Sequence, residues 1–175
     1  MTNKKSLSFF FDLVLIGILI VIDQHTKQLA ILKLKDKAPY PIISNVLELN
    51  YLENRGAAFG MLQNQKIFFV FIAIIILALI IYFLFKMPNK KKYSILHILL
   101  SMIAAGAIGN MIDRIRYDYV VDFIYLVIIN FPIFNVADIY VTVATTLLVI
   151  LILFFFKEED LNFLSFKQQK IREIK

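Results

Sequence analysis

Four long apolar segments dominate this sequence, and together they restrict the chain to a membrane fold. They run over about residues 7–22, 67–85, 95–112 and 139–156. A backbone amide finds no water inside a bilayer, so about 20 consecutive apolar residues must satisfy their own hydrogen bonds as a helix. Hydrophobic residues make up 60% of the chain, whereas a soluble domain contains about 45 to 50%. The sequence therefore predicts an all-α polytopic membrane protein with four transmembrane helices.

The first segment follows two lysines, an arrangement that also occurs in cleavable signal peptides. Asp12 interrupts its apolar run, however, and no small-residue cleavage site follows. We therefore interpret the segment as a retained helix. No internal repeat or long linker divides the chain, so residues 1–175 are predicted to form a single domain.

Basic residues flank the apolar segments in a pattern that predicts the membrane topology. They cluster before the first segment, between the second and the third, and after the fourth: Lys4, Lys5, Lys86, Lys90, Lys91, Lys92, Lys157, Lys167, Lys170, Arg172 and Lys175. The positive-inside rule places such clusters in the cytoplasm. Both termini, including a tail over residues 157–175, are therefore predicted to be cytoplasmic. The net charge of +6 is explained by topology, and no nucleic-acid partner is expected.

The loop over residues 23–65 is predicted to lie on the extracytoplasmic side and to contain strands. Apolar and polar residues alternate over residues 30–35 and again over residues 47–51, which is typical of strands. Pro39 and Pro41 separate the two stretches. The pattern predicts a small extracytoplasmic β-sheet between the first two helices.

The second extracytoplasmic loop, over residues 113–138, contains an apolar run over residues 120–131. This run is too short to span a bilayer as a helix, and Pro132 ends it. We predict that it lies at the outer membrane interface or re-enters the membrane. It would bring Asp122 to membrane depth.

Asp122 and Asp138 both border apolar sequence, where an ionisable group costs about 2.5 to 3.5 kcal/mol and therefore often marks function. Two neighbouring carboxylates share a proton, so one can activate water while the other protonates the carbonyl oxygen or the leaving amine. The pair thus predicts peptide hydrolysis without a metal or a covalent intermediate. With no cysteine and two histidines far apart in the chain, a metal site is not expected.

Each aspartate also has a structural interpretation. Asp138 precedes the fourth apolar segment and could be a helix N-cap, while Asp122 could be an interfacial carboxylate that faces water. If Asp138 opens a helix, the helix dipole favours its charged form, whereas the apolar neighbours of Asp122 resist its ionisation. We predict that Asp138 is the ionised partner and Asp122 the protonated one.

Other polar residues and glycines near the helix ends favour structural roles when taken from position alone. Asp23 and Lys27 have the spacing of a helical ion pair. Asn54, Arg55 and Gly56 are typical of a turn, with Gly56 and Gly60 permitting a positive φ. Asp113, Arg114 and Arg116 lie at the end of the third helix, where arginine could bind an aspartate, a lipid phosphate or a peptide carbonyl. Gly106 and Gly109 favour close helix packing. We assign Asp12 and His97 to packing or lipid contact.

Two other functional classes are compatible with a small membrane protein that has aspartates at membrane depth. An ion-coupled transporter would relay protons through them, but it predicts inverted repeats and broken helices, which the sequence lacks. A noncatalytic membrane assembly factor would use the carboxylates only as structural caps, and replacing each aspartate by asparagine would then leave its function intact.

Five short motifs, taken in their order along the chain, resemble the bacterial lipoprotein signal peptidases, also called signal peptidase II. The motifs are Asp23-Gln24-His25-Thr26-Lys27, Asn54-Arg55-Gly56-Ala57-Ala58-Phe59-Gly60, Gly109-Asn110-Met111-Ile112-Asp113-Arg114, Val120-Val121-Asp122-Phe123 and Phe134-Asn135-Val136-Ala137-Asp138. The resemblance extends from about Asp23 to the fourth helix. One departure is Ile139, which follows Asp138 where a serine is common in the family.

The resemblance implies an intramembrane aspartic endopeptidase of the bacterial cytoplasmic membrane, with its active site toward the extracytoplasmic face. It would remove the signal peptide from diacylglyceryl-modified prolipoproteins, cutting just before the lipidated cysteine. Apart from this substrate and membrane lipid, it needs no partner or cofactor, and we expect a monomer. By the same resemblance, Asp122 and Asp138 are the catalytic dyad, Asn54, Asn110, Arg114 and Asn135 hold the substrate, and Asp23, Lys27, Gly56 and Asp113 have supporting roles.

Overall fold

The computed structural model describes residues 3–56 and 62–164, and these ranges contain four long helices. They are α1 (Asn3–Leu34), α2 (Lys66–Lys86), α3 (Ser94–Tyr117) and α4 (Val136–Phe154). All four are long and apolar enough to cross a membrane, which confirms the predicted four-helix architecture. The side of the membrane on which each terminus lies stays a prediction from the positive-inside rule.

The first helix continues to Leu34, so the strand predicted over residues 30–35 is wrong. Ala30 is buried against Val121 and Phe123, and Ile31 and Leu34 pack on the same cluster. Positions 30, 31 and 34 have the i, i+1, i+4 spacing of one helix face. The short alternation of apolar and polar residues was therefore coincidental, and the apolar face of α1 determines the local structure.

A three-stranded antiparallel sheet packs beside the end of α1, in the order β1 (Tyr40–Ile43), β2 (Leu47–Asn54) and β3 (Val120–Leu126). The alternation over residues 47–51 correctly predicts β2. The third strand follows α3, so the sheet is not confined to the loop between the first two helices. The β-branched and aromatic residues of β3 favour a strand. In the pairing of β3 with β2, Asp122 lies opposite Leu52.

Small residues allow α3 to approach its neighbours closely, as the sequence predicts for Gly106 and Gly109. A Cβ atom added at Gly106 would lie 2.6 Å from the carbonyl oxygen of Ala137 on α4. At Gly109 it would lie 2.4 Å from Oδ2 of Asp23 on α1. The third helix therefore holds α1 and α4 at distances that exclude a methyl group at either glycine.

Replacing Gly109 by Ala is expected to lower the free energy of unfolding by about 1 to 3 kcal/mol, because overpacking displaces the buried Asp23 side chain. Gly17 on α1 provides a matched control, since a Cβ atom added there meets nothing within 4 Å. Gly17→Ala should be neutral or slightly stabilising, as alanine favours a helix interior. Thermal unfolding in detergent measures both variants, and equal transition temperatures would contradict the packing argument.

Aromatic contacts close the end of the bundle where α2 connects to α3. We call it the lysine-rich end because the connection contains Lys86, Lys90, Lys91 and Lys92. A short 3-10 helix (Lys91–Tyr93) precedes α3, and another (Glu158–Leu164) follows α4. Tyr93 stacks on Phe156 at a ring-centroid distance of 5.9 Å, and its hydroxyl donates to the carbonyl of Asp160 at 3.0 Å. Residues 165–175, with four of the basic residues of the tail, lie outside the described residues.

Candidate active site

The chain brings Asp122 and Asp138 to one cavity of about 270 Å³ at the sheet end of the helix bundle. Asp122 is the third residue of β3 and is 1% exposed, and Asp138 lies in the first turn of α4. The cavity is also lined by four other predicted site residues, which are Asn54, Gly56, Asn110 and Arg114. The predicted dyad and most of its expected substrate-binding residues therefore share one space.

Asn135 links the two carboxyl groups. Its Nδ2 donates to Oδ1 of Asp122 at 2.6 Å, and its backbone N–H donates to Oδ2 of Asp138 at 3.1 Å. The side chain is fully buried, so both bonds lie away from bulk water, where charge-assisted hydrogen bonds are strong. One residue thus fixes the relative position of both carboxyl groups.

Asn135, and not Asp138, is the N-cap of α4, so the N-cap interpretation of Asp138 is wrong. The side chain of Asn135 accepts from the backbone N–H of Asp138 at 3.0 Å, and Oδ2 of Asp138 accepts from the backbone N–H of Asn135. This reciprocal arrangement is a capping box. It uses one oxygen of Asp138, while the other accepts from Nδ2 of Asn110 at 2.8 Å.

Asp122 is held by two amide donors in a nearly dry environment. Nδ2 of Asn54 donates to its Oδ2 at 2.8 Å, opposite the bond from Asn135. Burial, with a further contribution from the charge of Asp138, raises the pKa of Asp122 to about 7, although the two amide bonds act in the opposite direction. A carboxyl group with this pKa can be protonated near neutral pH and can donate a hydrogen bond.

Arg114 extends from the last turns of α3 into the same cavity. Its guanidinium donates to the carbonyl of Gly56 at 3.2 Å and lies 4.6 Å from the ring centroid of Phe69. Of the partners expected from sequence, a backbone carbonyl is therefore the one that it contacts within the described residues. Arg116 is exposed and does not line the cavity.

The segment after β2 forms the predicted turn at Asn54. Oδ1 of Asn54 accepts from the backbone N–H of Gly56 at 3.0 Å, while its Nδ2 is directed to Asp122. The turn therefore positions the amide group that binds the buried carboxyl group. Gly60, the second glycine of this motif, lies outside the described residues.

Behind the cavity, Lys27 forms a buried ion cluster with two aspartates. Its Nζ lies 3.0 Å from Oδ2 of Asp23 and 3.0 Å from Oδ2 of Asp113, and all three side chains are 2% exposed or less. Asp23 accepts from the backbone N–H of Ala137 on α4, and Asp113 accepts from that of Val121 on β3. The cluster joins four elements and is larger than the predicted helical ion pair.

The ion cluster also contacts the residues that hold the dyad. Nζ of Lys27 donates to Oδ1 of Asn110 at 2.9 Å, and Nδ2 of Asn110 donates to Asp138. Because its oxygen faces the ammonium group, the amide of Asn110 must direct its donor toward Asp138. Nδ2 of Asn135 donates to the same oxygen at 3.2 Å, so Lys27 and Asn135 together determine which way the Asn110 amide points.

The remaining walls of the cavity were not predicted from the sequence. Thr142 lies one helical turn after Asp138 and lines the same space, so the i, i+4 spacing of a helix could have identified it. Residues 131–134 form the apolar part of the wall. Their role depends on the fold of the loop between β3 and α4, for which the sequence carries no local signal.

Comparison with known proteins identifies relatives of this chain and of its fold. Residues 15–154 match the family model described as signal peptidase (SPase) II. The lipoprotein signal peptidase of Caldanaerobacter subterraneus subsp. tengcongensis is 43% identical over 136 residues, covering 77% of this chain and 90% of the relative. That of Streptococcus pyogenes serotype M5 is 42% identical, covering 90% and 97%. A bacterial membrane enzyme structure determined in meso at 2.3 Å resolution superposes with a TM-score of 0.73 at 33% identity, covering 82% of this chain and 87% of that one.

Proposed function

The chain belongs to the signal peptidase II family, and we propose that it is an aspartic endopeptidase that removes the signal peptide from diacylglyceryl-modified prolipoproteins. The cut would fall just before the lipidated cysteine. The observation that supports this proposal most directly is that Asn135 links two carboxyl groups at the wall of one cavity. Such a pair is the arrangement that hydrolyses a peptide bond without a covalent intermediate.

In the proposed mechanism, Asp138 is ionised and Asp122 is protonated before the reaction. Asp138 removes a proton from a water molecule while the oxygen of that water forms a bond to the scissile carbonyl carbon. At the same time Asp122 donates its proton to the carbonyl oxygen. The carbon–nitrogen bond then breaks as Asp138 gives its proton to the leaving amine, and the carbonyl re-forms as Asp122 recovers its own. The raised pKa of Asp122 supports its role as the acid.

The other cavity residues supply donors for an extended substrate. Asn54, Asn110 and Arg114 present amide and guanidinium groups that can donate to peptide carbonyls. The contact between Arg114 and the Gly56 carbonyl shows that the guanidinium reaches backbone oxygen in this space. All these donors come from one chain, so we propose that the enzyme acts as a monomer.

The position of the site suits a lipid-linked substrate. It lies where β3 meets the ends of α3 and α4, at the end of the bundle opposite the lysine-rich loop. The positive-inside rule places this end on the extracytoplasmic side of the bacterial cytoplasmic membrane. The acyl chains can then stay in the bilayer while the scissile bond reaches water, and the apolar residues 131–134 that line the cavity would face the lipid-linked end of the substrate.

The function is tested by cleavage of a purified prolipoprotein in detergent, with and without diacylglyceryl modification. We expect the purified chain to cut the lipidated form alone, and mass spectrometry should find a mature product that begins with the lipidated cysteine. Cleavage of both forms at equal rates would contradict the proposed substrate class. A product cut at another position would contradict the proposed cleavage site.

The pH dependence of kcat/KM is expected to report the protonation of Asp122 in the free enzyme. Its pKa is raised from 3.8 to about 7, so the acidic form persists above the usual range and is lost as the pH rises through about 7. We expect kcat/KM to fall about tenfold per pH unit above that value. Infrared spectra supply a second measurement, because the carboxylic acid absorption of the wild type should lose the contribution of one group in Asp122→Asn. A carboxylic acid absorption that is unchanged by this substitution would exclude Asp122 as the acid.

A further inference from the structure

The lysine-rich end of the bundle contains two adjoining cavities that the proposed reaction does not use. The larger, of about 240 Å³, lies between α1 and the start of α3, and the smaller lies between α1 and the end of α2. Ser8, Asn89 and His97 line both of them. Asp12, at the wall of the larger cavity, precedes Asp23 by about three turns of α1, or roughly 16 Å. This space is therefore separate from the active site.

A buried polar pair forms the inner wall. Nδ1 of His97 and Oδ2 of Asp12 lie 2.8 Å apart, and Asp12 is 5% exposed. The sequence assigns both residues to packing or lipid contact, and the structure shows that they bind each other. Among the described residues, the second ring nitrogen of His97 has no hydrogen-bond partner, so a polar group remains available at the cavity.

The rim carries cationic and neutral donors without an acidic partner. Lys5 lines the smaller cavity and Lys90 the larger, and neither ammonium forms an ion pair within the described part of the chain. The hydroxyl groups of Ser8 and Ser94 and the amide of Asn89 add neutral donors. Asp12 is the one carboxylate among the lining residues, and His97 binds it. The rim therefore has an excess of positive charge and donors.

Apolar side chains continue from this rim along the outer faces of the helices. Phe11 and Ile98 line the larger cavity and are 61% and 45% exposed, and Leu15 lies one turn further along α1. In a bilayer these surfaces face lipid chains. A ligand that fits both parts carries a negative charge at one end and a hydrocarbon chain at the other.

We propose that this space binds the phosphate headgroup of an anionic phospholipid, with an acyl chain along Phe11, Leu15 and Ile98. Lys5 and Lys90 contact the phosphate, and Ser8, Asn89 and Ser94 donate hydrogen bonds to its oxygens. Basic pockets between transmembrane helices bind anionic headgroups in this way. The site would tie α1 to the connection between α2 and α3, and it does not depend on the proposed peptidase activity.

The test uses phosphatidylglycerol with a photoreactive acyl chain, present as a minor component in phosphatidylcholine nanodiscs that contain the full chain. After irradiation and digestion, we expect the label on Phe11, Leu15 and Ile98. Unlabelled phosphatidylglycerol should compete, whereas added phosphatidylcholine should not. Because each lysine near an anionic headgroup contributes about fivefold in affinity, Lys5→Gln/Lys90→Gln should weaken the apparent affinity by about 25-fold.

Lys91→Gln is the matched control, because Lys91 neighbours Lys90 but lines neither cavity. Like Lys90→Gln alone, it removes one positive charge from the connection between α2 and α3, but it should leave labelling unchanged. Thermal unfolding of each variant in detergent verifies its fold. Labelling that is equal in the double variant, or located elsewhere on the helices, would overturn the proposal. Competition by inorganic phosphate in place of phosphatidylglycerol would identify a free-phosphate site and would also overturn it.

Discussion

Replacing Asp122 by Asn is expected to reduce kcat by about 10³- to 10⁴-fold, and Asp138→Asn should cause a similar loss. Asparagine occupies nearly the same volume, but its single oxygen can keep only one of the two hydrogen bonds that each carboxyl group accepts from Asn54, Asn110 and Asn135. The chemical loss is the transferable proton at position 122 or the proton acceptor at position 138. The measurement is single-turnover cleavage of the lipidated prolipoprotein, which separates the chemical step from binding.

The appropriate control for the dyad variants is Asp118→Asn. Asp118 is exposed and binds Lys66 at 2.7 Å, so its substitution changes charge near the sheet without contacting the cavity. It should retain full activity. The double dyad variant should be no slower than the slower single variant, because residues that act as a unit are not additive. Full activity in either single variant would rule out the aspartic mechanism and would favour a structural role for that carboxyl group.

The sequence predicts the four helices because apolar length alone specifies a membrane span. It also predicts that Asp122 and Asp138 act together, because carboxylates beside apolar runs are costly and few. The capping box at Asn135 and Asp138 is a local signal as well, since an Asx residue followed three positions later by an acidic residue is typical of a helix start. Reading that signal would have placed the start of α4 at Val136.

Local propensity favours a strand over residues 120–126 but does not decide between a strand and an interfacial segment. Residues 120–126 are apolar and fit a membrane interface equally well, and what makes them a strand is pairing with β2, which lies far away in the chain. The same applies to the partners of Lys27. Asp23 is visible at helical spacing, whereas Asp113 and Asn110 reach Lys27 only when α1 packs on α3. Tertiary packing therefore determines the parts of the site that the sequence leaves open.

Replacing Lys27 by Met is expected to lower the free energy of unfolding by about 3 to 5 kcal/mol, because it leaves Asp23 and Asp113 buried without their shared cation. Methionine approximates the length of the lysine stem, so the loss reports charge more than volume. The substitution should also reduce kcat, since the Asn110 oxygen then keeps only the bond from Asn135 and its donor is held less firmly toward Asp138. Thermal unfolding in detergent and single-turnover cleavage measure the two effects.

Lys35→Met is a matched control for Lys27→Met because Lys35 also lies 3.0 Å from a carboxylate oxygen, that of Glu53, but its side chain is 39% exposed. Solvent screens this pair, so its loss should leave the unfolding temperature nearly unchanged. A second variant, Lys27→Met/Asp23→Asn, keeps one buried carboxylate in place of two and should recover part of the lost stability. If Lys27→Met and Lys35→Met unfold at the same temperature, the buried cluster does not stabilise the bundle, and the position of Asn110 must depend on other contacts.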